Sequence, residues 1–124
     1  MGTRFALTDE SSASDIFKEY CLRLNEGDTK LLLKKLAPTR LVTNSFRDRV
    51  EAAEGRGASA EELRELLGRG RAKKGIFEGD LEEGELEIGQ VAALFRRRQS
   101  VDEVMKEPLE GYRRASDKIR SAGL

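Results

Sequence analysis

The sequence predicts a mainly α-helical fold with one or two short strands. Apolar residues recur every three or four positions along several stretches of the 124-residue chain, which is the spacing of a helix that buries one face. Two Ser-x-x-Glu capping boxes, at Ser59 and Ser100, each predict the start of a helix. Two runs favour strands instead, Met1–Phe5 and Leu31–Leu33.

The first forty residues are expected to hold both strands and one helix. Met1–Phe5 is predicted to be a strand end, because larger side chains alternate along it. From about residue 12 to residue 25 the apolar residues follow helical spacing, and a turn that contains Gly27 is expected to end that helix. Leu31–Leu33 is too short for periodicity to separate a strand from a helical turn, although Gly27 and Pro38 on either side favour a strand.

Three helices are predicted between residues 45 and 98. The first runs to about Glu54, and the second begins at the Ser59 capping box. The following segment, residues 68–90, holds six of the twelve glycines but no serine or proline, which predicts an ordered but irregular stretch. The third helix is expected over residues 89–98.

The last predicted helix begins at the Ser100 capping box. Pro108 lies within it and has no backbone N–H to donate, so we expect a kink or a division there. The tail from Arg113 is polar and is expected to fray. The run Arg96-Arg97-Arg98 is interpreted as the last turn of the preceding helix, where cations stabilise the helix dipole.

Composition excludes several classes of function. The chain has no histidine, so Ser–His–Asp and Cys–His catalysis and histidine-ligated zinc are excluded, and we assign no catalytic or metal-binding residue. Cys21 is the single cysteine and lies on an apolar helical face, which predicts a core residue in a cytoplasmic protein. The 23 Lys and Arg balance 23 Asp and Glu, so no nucleic-acid partner is expected, and no apolar run is long enough to span a membrane.

Two charged segments suggest a ligand-binding role, but each can also be interpreted as a charged turn without a ligand. Residues 68–75 could form a basic glycine loop for phosphate, yet they match neither common phosphate-binding glycine pattern, so a solvated basic turn is favoured. Residues 79–88 are rich in carboxylates that suggest a cation site. Their spacing does not fit a calcium loop, because Gly84 stands where a ligand is needed, and an acidic turn is favoured.

Two stretches of the sequence resemble a known family of enzymes. The first comprises residues 1–6 (MGTRFA), followed by residues 10–13 (ESSA) and residues 17–18 (FK). The second comprises residues 68–80 (GRGRAKKGIFEGD), continued by residues 82–91 (EEGELEIGQV). Both stretches resemble the C-terminal part of the FMN-dependent nitronate monooxygenases, also called 2-nitropropane dioxygenases. The resemblance covers about residues 1–106.

The resemblance implies a fold, a reaction and a cofactor. The family consists of TIM-barrel (β/α)8 flavoenzymes that oxidise alkyl nitronates with dioxygen. By this resemblance Met1, Gly2 and Thr3 form the turn after the eighth barrel strand that holds the FMN phosphate, where barrel enzymes commonly bind phosphate. Gln90 is similar to a family glutamine near the mouth of the active site, which implies a flavin-side or substrate-side role. The alternative for Gln90 is a structural role at a helix start.

The same resemblance divides the chain into two regions and predicts which functions the chain lacks on its own. Residues 1–28 correspond to the last barrel strand end, the phosphate turn and the following helix, and residues 29–124 to the helical C-terminal region. In the family the catalytic histidine lies upstream of the Met-Gly-Thr turn, so the 124-residue chain alone is expected to be inactive. An FMN-dependent enoyl-ACP reductase-like flavoenzyme and a non-enzymatic helical interaction module are the alternatives. Self-association through exposed barrel-facing surface is also expected.

Overall fold

The computed structural model describes residues 1–123 and confirms a helix-rich fold with two short strands. A single-turn π-helix and a 3-10 helix supplement five α-helices in this range. In chain order the elements are α1 (Gly2–Ala6), α2 (Asp15–Cys21), β1 (Thr29–Leu32), β2 (Thr39–Val42), α3 (Ser45–Gly55), α4 (Ala60–Leu67), the π-helical turn (Lys73–Phe77), the 3-10 helix (Gln90–Leu94) and α5 (Val101–Ser121).

The two strands form an antiparallel hairpin. Thr29 lies opposite Val42 in the register, and Leu32 lies opposite Thr39. The predicted strand at Leu31–Leu33 is therefore confirmed with a small shift. Leu33 leaves the strand with a φ of 55° and begins the connection to β2. The sequence analysis did not predict β2, whose four residues follow Pro38 too closely to show a clear period.

The free edge of β2 receives the segment 85–88. Leu41 forms an isolated antiparallel bridge with Glu87, and the Val42 N–H donates to the Leu86 carbonyl at 2.9 Å. Strand β2 is thus paired on both sides, which leaves fewer unpaired backbone groups than a lone hairpin has. This pairing carries the chain directly from the sheet to Gly89.

Two apolar clusters lie on the two faces of β2. Successive strand residues point to opposite faces, so Val42 enters the first cluster and Leu41 enters the second. The first cluster comprises Leu7, Phe17, Cys21, Leu22, Leu24, Val42, Leu86, Ile88 and Ala92. The second comprises Leu32, Leu33, Leu41, Phe46, Val50, Ala53, Ala58 and Leu63.

The prediction of a strand at Met1–Phe5 was wrong, because these residues form the short helix α1. A strand there would need a neighbouring strand to satisfy its backbone. The helix satisfies it locally, since the Phe5 N–H donates to the Met1 carbonyl at 3.2 Å. The Arg4 guanidinium also lies over the Phe95 ring, 4.5 Å from its centroid, which holds α1 against the segment before α5.

Several predicted helices have different lengths in the structure. The helix expected over residues 12–25 is shortened to α2, since Ser14 accepts from the Phe17 N–H at 3.2 Å and so acts as the N-cap. The helix expected over residues 89–98 is only the 3-10 helix Gln90–Leu94. The three arginines that follow it therefore lie in a loop, where Arg98 binds Asp9 at 2.9 Å.

Helix α5 is longer and more regular than predicted. Pro108 lies inside it, yet the helix is assigned without a break from Val101 to Ser121. The residues from Arg113 to Ser121, which were expected to fray, are helical. At 21 residues α5 is the longest helix of residues 1–123, and none of the helices in that range is both long and apolar enough to cross a membrane.

The basic and acidic segments bind each other. The Arg71 guanidinium donates to the Glu83 carbonyl at 2.7 Å and to the Leu67 carbonyl at 2.7 Å, so it joins the end of α4 to the acidic turn. Arg49 contributes a further bidentate contact to the Glu83 carboxylate. Hydrogen bonds from the backbone N–H groups of Glu83 and Glu82 help to keep the pKa of the half-buried Asp80 low. These contacts favour the structural interpretation of both segments.

Candidate functional site

The site begins at the first turn of α1. The first three residues of a helix have backbone N–H groups with no partner inside the helix. In α1 these belong to Gly2, Thr3 and Arg4, since Phe5 is the first to donate to a carbonyl of the helix start. Free N–H groups at a helix start favour an anion. The Met1 side chain is largely exposed at this end.

A hydrogen bond joins this turn to a distant part of the chain. The Gly89 N–H donates to the Thr3 Oγ1 at 3.0 Å, across 86 positions of sequence. A hydroxyl that accepts one hydrogen bond keeps its own O–H to donate. Thr3 is therefore held in place by Gly89 while its hydroxyl hydrogen stays available to a ligand.

Gly89 leaves room for the Thr3 hydroxyl in this arrangement. A Cβ added there would overlap the Thr3 Oγ1 and also come within 3.6 Å of the Thr3 Cβ. Gly2, by contrast, has open space where its Cβ would be, with no neighbouring atom within 4 Å. The turn is thus closed on the Gly89 side and open on the Gly2 side, which leaves room for a ligand above the first turn of α1.

A shallow depression of about 400 Å³ lies beside this turn. Thr3 and Gly89 line it, together with Arg40 from β2 and Glu87 from the segment paired with β2. Arg40 is half-buried, and its guanidinium donates to the Thr29 carbonyl and hydroxyl at 3.5 and 3.4 Å. The sheet therefore places the Arg40 guanidinium and the Glu87 carboxylate at the edge of the turn.

Gln90 lines a neighbouring cavity of about 790 Å³. Arg40 lies on the boundary between the two, because it also lines this larger cavity. Arg96 lies on another side, where its guanidinium donates to the Leu24 carbonyl at 2.8 Å. Glu26 and the exposed Leu94 complete much of the remaining wall.

The structure brings together some of the predicted site residues. Gly2 and Thr3 share one depression with Gly89, whereas Gln90 lines the adjacent cavity. Met1 lies on a third depression, which it shares with Arg4, Phe95 and Val104. Arg40 was not predicted from the sequence. Recognition of β2 between Pro38 and Asn44 could have found it, because the pairing of β2 with residues 85–88 places Arg40 near Gly89.

Glu85 has a raised pKa and lies two residues before Glu87, which lines the depression. Its side chain is buried in the segment that pairs with β2. Burial, followed by the nearby Glu87 carboxylate, raises the pKa of Glu85 to about 7, against a smaller opposing effect of Arg71. Glu85 therefore holds a proton in the folded chain at pH values where an exposed glutamate is ionised.

Glu85→Gln is expected to reduce the loss of stability that occurs as pH rises. The folded-state pKa lies above the ordinary value of 4.5, so the stability Glu85 provides is complete below about pH 4.5 and is lost as pH rises to about 7. Between about pH 5 and pH 8 the free energy of unfolding of the variant, measured relative to that of the wild type, is expected to rise by about 2 kcal/mol. Urea unfolding at both pH values measures this difference, and Glu78→Gln, at an exposed position, should leave it near zero.

Cys21 takes no part in the site. Its side chain is fully buried in the first cluster, and burial raises the pKa of the thiol to about 12. The thiol therefore stays protonated at neutral pH and is not a nucleophile. The prediction of a core residue is confirmed.

Comparison with known proteins identifies the class. A helix start with free N–H groups beside two cavities is compatible with many nucleotide and cofactor enzymes, and the family match points among these to the flavin-dependent oxidoreductases. The sequence profile of the family described as "Nitronate monooxygenase" matches residues 1–111. The chain belongs to the nitronate monooxygenase family. No curated protein matches the chain.

Solved structures of FabK from Thermotoga maritima are similar to the chain over nearly its whole length. One FabK structure has a TM-score of 0.83 and 28% sequence identity, and it covers 98% of this chain. The structure of the M276A mutant of FabK has a TM-score of 0.76 and 26% identity, also over 98% of this chain. The chain spans only 38% and 36% of those two FabK chains.

Proposed function

We propose that this chain forms the phosphate-binding end of an FMN-dependent nitronate monooxygenase, which oxidises alkyl nitronates with dioxygen. The observation that carries the proposal is the hydrogen bond from the Gly89 N–H to the Thr3 Oγ1. It joins the two stretches of sequence that resemble the family, and it does so at the open N-terminal turn of α1.

The donors at this turn fit the phosphate of FMN. The backbone N–H groups of Gly2, Thr3 and Arg4 face away from the helix ladder, and the Thr3 hydroxyl adds a fourth donor. Phosphate oxygens are strong acceptors that such a set can bind, and the partial positive charge of the helix start favours their negative charge. Open space beside Gly2 allows the phosphate to approach the backbone.

The residues of this chain would bind and orient rather than transfer a proton. Gly2 and Thr3 would hold the phosphate, and Arg40 would add a positive charge at the boundary of the two cavities. The Gln90 amide would orient the substrate in the larger cavity. A flavin bound here would supply the redox chemistry between the substrate and dioxygen. The chain contains no histidine, so we assign the proton-abstracting base to a part of the enzyme outside these residues.

A second candidate is an FMN-dependent enoyl-ACP reductase-like reaction. The larger cavity favours it, because Arg40 and Arg96 both line this space and both donate to uncharged oxygen atoms. Two guanidinium groups suit a substrate carried on a phosphate-bearing arm better than a small nitronate. Product analysis of an enzyme that contains this chain separates the candidates, since one oxidises a nitronate and the other reduces an enoyl thioester.

Gly89→Ala is expected to weaken FMN binding at least tenfold. The new methyl group would overlap the Thr3 Oγ1 and displace the hydroxyl that we assign to the phosphate. Titration of the isotope-labelled chain with FMN, followed by nuclear magnetic resonance, measures this through the amide signals of Gly2, Thr3 and residue 89. Gly55→Ala is the matched control, because a Cβ at position 55 meets nothing within 4 Å.

Riboflavin provides the ligand control for the same titration. It has the flavin ring but lacks the phosphate, so we expect FMN to shift the Gly2 and Thr3 amide signals and riboflavin to leave them in place. Equal shifts with both ligands, or an FMN response that survives unchanged in Gly89→Ala, would contradict the assignment of the phosphate to this turn.

A further inference from the structure

An exposed apolar stripe runs along α5. Met105, Leu109, Tyr112 and Ile119 are 44%, 53%, 73% and 54% exposed. They follow one another at intervals of four, three and seven residues, which places all four on one face of a helix. Large apolar side chains in a continuous exposed row mark an interaction surface.

This stripe lies on a different face from the one that packs on the protein. Within Val101–Ser121 Val104 is the only buried residue, and Glu107 and Pro108 share a depression with it and with Met1. Because each residue advances a helix by about 100°, Met105 and Leu109 are turned by about 100° from Val104 and Pro108, respectively. Tyr112 and Ile119 lie between these two directions and are exposed. Helix α5 can thus stay packed on the body while its stripe meets a partner.

The charges of α5 are divided between its two halves. Residues 101–111 carry four carboxylates and one lysine, whereas residues 112–121 carry four cations and one carboxylate. The first half has an acidic excess even without Glu107, which faces Arg4 at 3.4 Å. A second copy of α5 in antiparallel orientation would place each acidic half beside a basic half. A parallel copy would place like charges together.

The apolar stripe is also compatible with the two-fold rotation that relates two antiparallel helices. Met105 and Ile119 each lie seven residues from Tyr112, so an antiparallel pair centred on Tyr112 sets Met105 of one copy against Ile119 of the other. A surface that complements itself in this way is what a two-fold dimer requires.

We propose that two copies of this chain associate through antiparallel pairing of their α5 helices. The interface is a pair of helices, each about 31 Å long at 1.5 Å per residue. That size belongs with the smaller, weaker protein interfaces. The occupant of the stripe is thus a second copy of the chain, and the two-fold axis passes near Tyr112.

Sedimentation of the chain over a range of concentrations tests the association. We expect the mass to rise with concentration from 13.9 kDa towards twice that value, and we expect Tyr112→Glu to weaken dimerisation at least tenfold, since it sets two carboxylates together at the axis. Phe77→Glu is the control, because Phe77 is an exposed aromatic residue outside α5. A wild-type chain that stays monomeric up to about 1 mM would overturn the proposal and leave the stripe to another partner.

Cross-linking tests the orientation independently of affinity. Tyr112→Cys should form an intermolecular disulfide, because position 112 of one chain lies beside position 112 of the other chain at the two-fold axis. Met105→Cys alone should not, whereas a mixture of Met105→Cys and Ile119→Cys chains should. The native Cys21 is fully buried and does not interfere. Efficient cross-linking of Met105→Cys with itself, or none for Tyr112→Cys, would overturn the antiparallel arrangement.

Discussion

Gly84→Ala is expected to destabilise the chain by about 3 kcal/mol or more. A Cβ at position 84 would overlap the Gly75 Cα and the Asp80 carbonyl oxygen and would lie 2.8 Å from the Gly75 nitrogen. All three are backbone atoms, so no side-chain rotation can relieve the overlap. Comparison of urea unfolding curves of the wild type and the variant measures the loss.

Gly55→Ala is the control for this prediction. Position 55 is the last residue of α3, has open space around it and has no unusual φ. Alanine there should be neutral or stabilising by a few tenths of a kcal/mol, because it favours the helix and restricts the unfolded chain. If Gly84→Ala and Gly55→Ala unfold at the same urea concentration, the close approach of Gly75 and Gly84 does not contribute as we infer.

Phe46→Ala is expected to cost about 3–5 kcal/mol. Phe46 is fully buried in the second cluster, and its ring lies under the Arg71 guanidinium, 4.4 Å from the ring centroid to the Arg71 Cζ. Removal of the ring leaves a cavity and also takes a contact from the arginine that joins α4 to the acidic turn. A loss of this size is a large part of the stability of a small domain.

Phe77→Ala separates the effect of burial from that of residue type. Phe77 is 52% exposed, so its loss should cost less than about 1 kcal/mol. Thermal or urea unfolding of both variants gives the comparison. Similar losses at the two positions would show that the second cluster does not hold Phe46 as tightly as the structure indicates.

Local features of the structure could be predicted from the sequence. The capping boxes at Ser59 and Ser100 were recognised because their partners, Glu62 and Glu103, lie only three residues away. Burial of Cys21 followed from helical periodicity in the same way. Both partners of an interaction within one helical turn lie a few residues apart in the sequence. Periodicity and capping rules can therefore predict such interactions.

Features that depend on distant partners could not be predicted. Met1–Phe5 was mistaken for a strand because alternation over five residues does not show whether a neighbouring strand exists. Strand β2 and Arg40 were missed for a related reason, since β2 is defined by pairing with β1 and with residues 85–88. The pairing of Thr3 with Gly89 could not be derived from spacing, and only the resemblance to a family brought the two stretches into one site. The role of Met1, Gly2, Thr3 and Gln90 toward FMN stays a prediction.

The hydrogen bond between Gly89 and Thr3 also has a consequence for the order of folding. It closes a loop of 86 positions, and such long-range closures cost entropy that contacts nearer in sequence do not. We therefore expect this hydrogen bond to form after contacts that are nearer in sequence, such as the pairing of β1 with β2. If this turn holds the phosphate of FMN as we propose, the bound phosphate would stabilise the assembled fold, because only a chain in which this long-range contact has formed presents the complete set of donors.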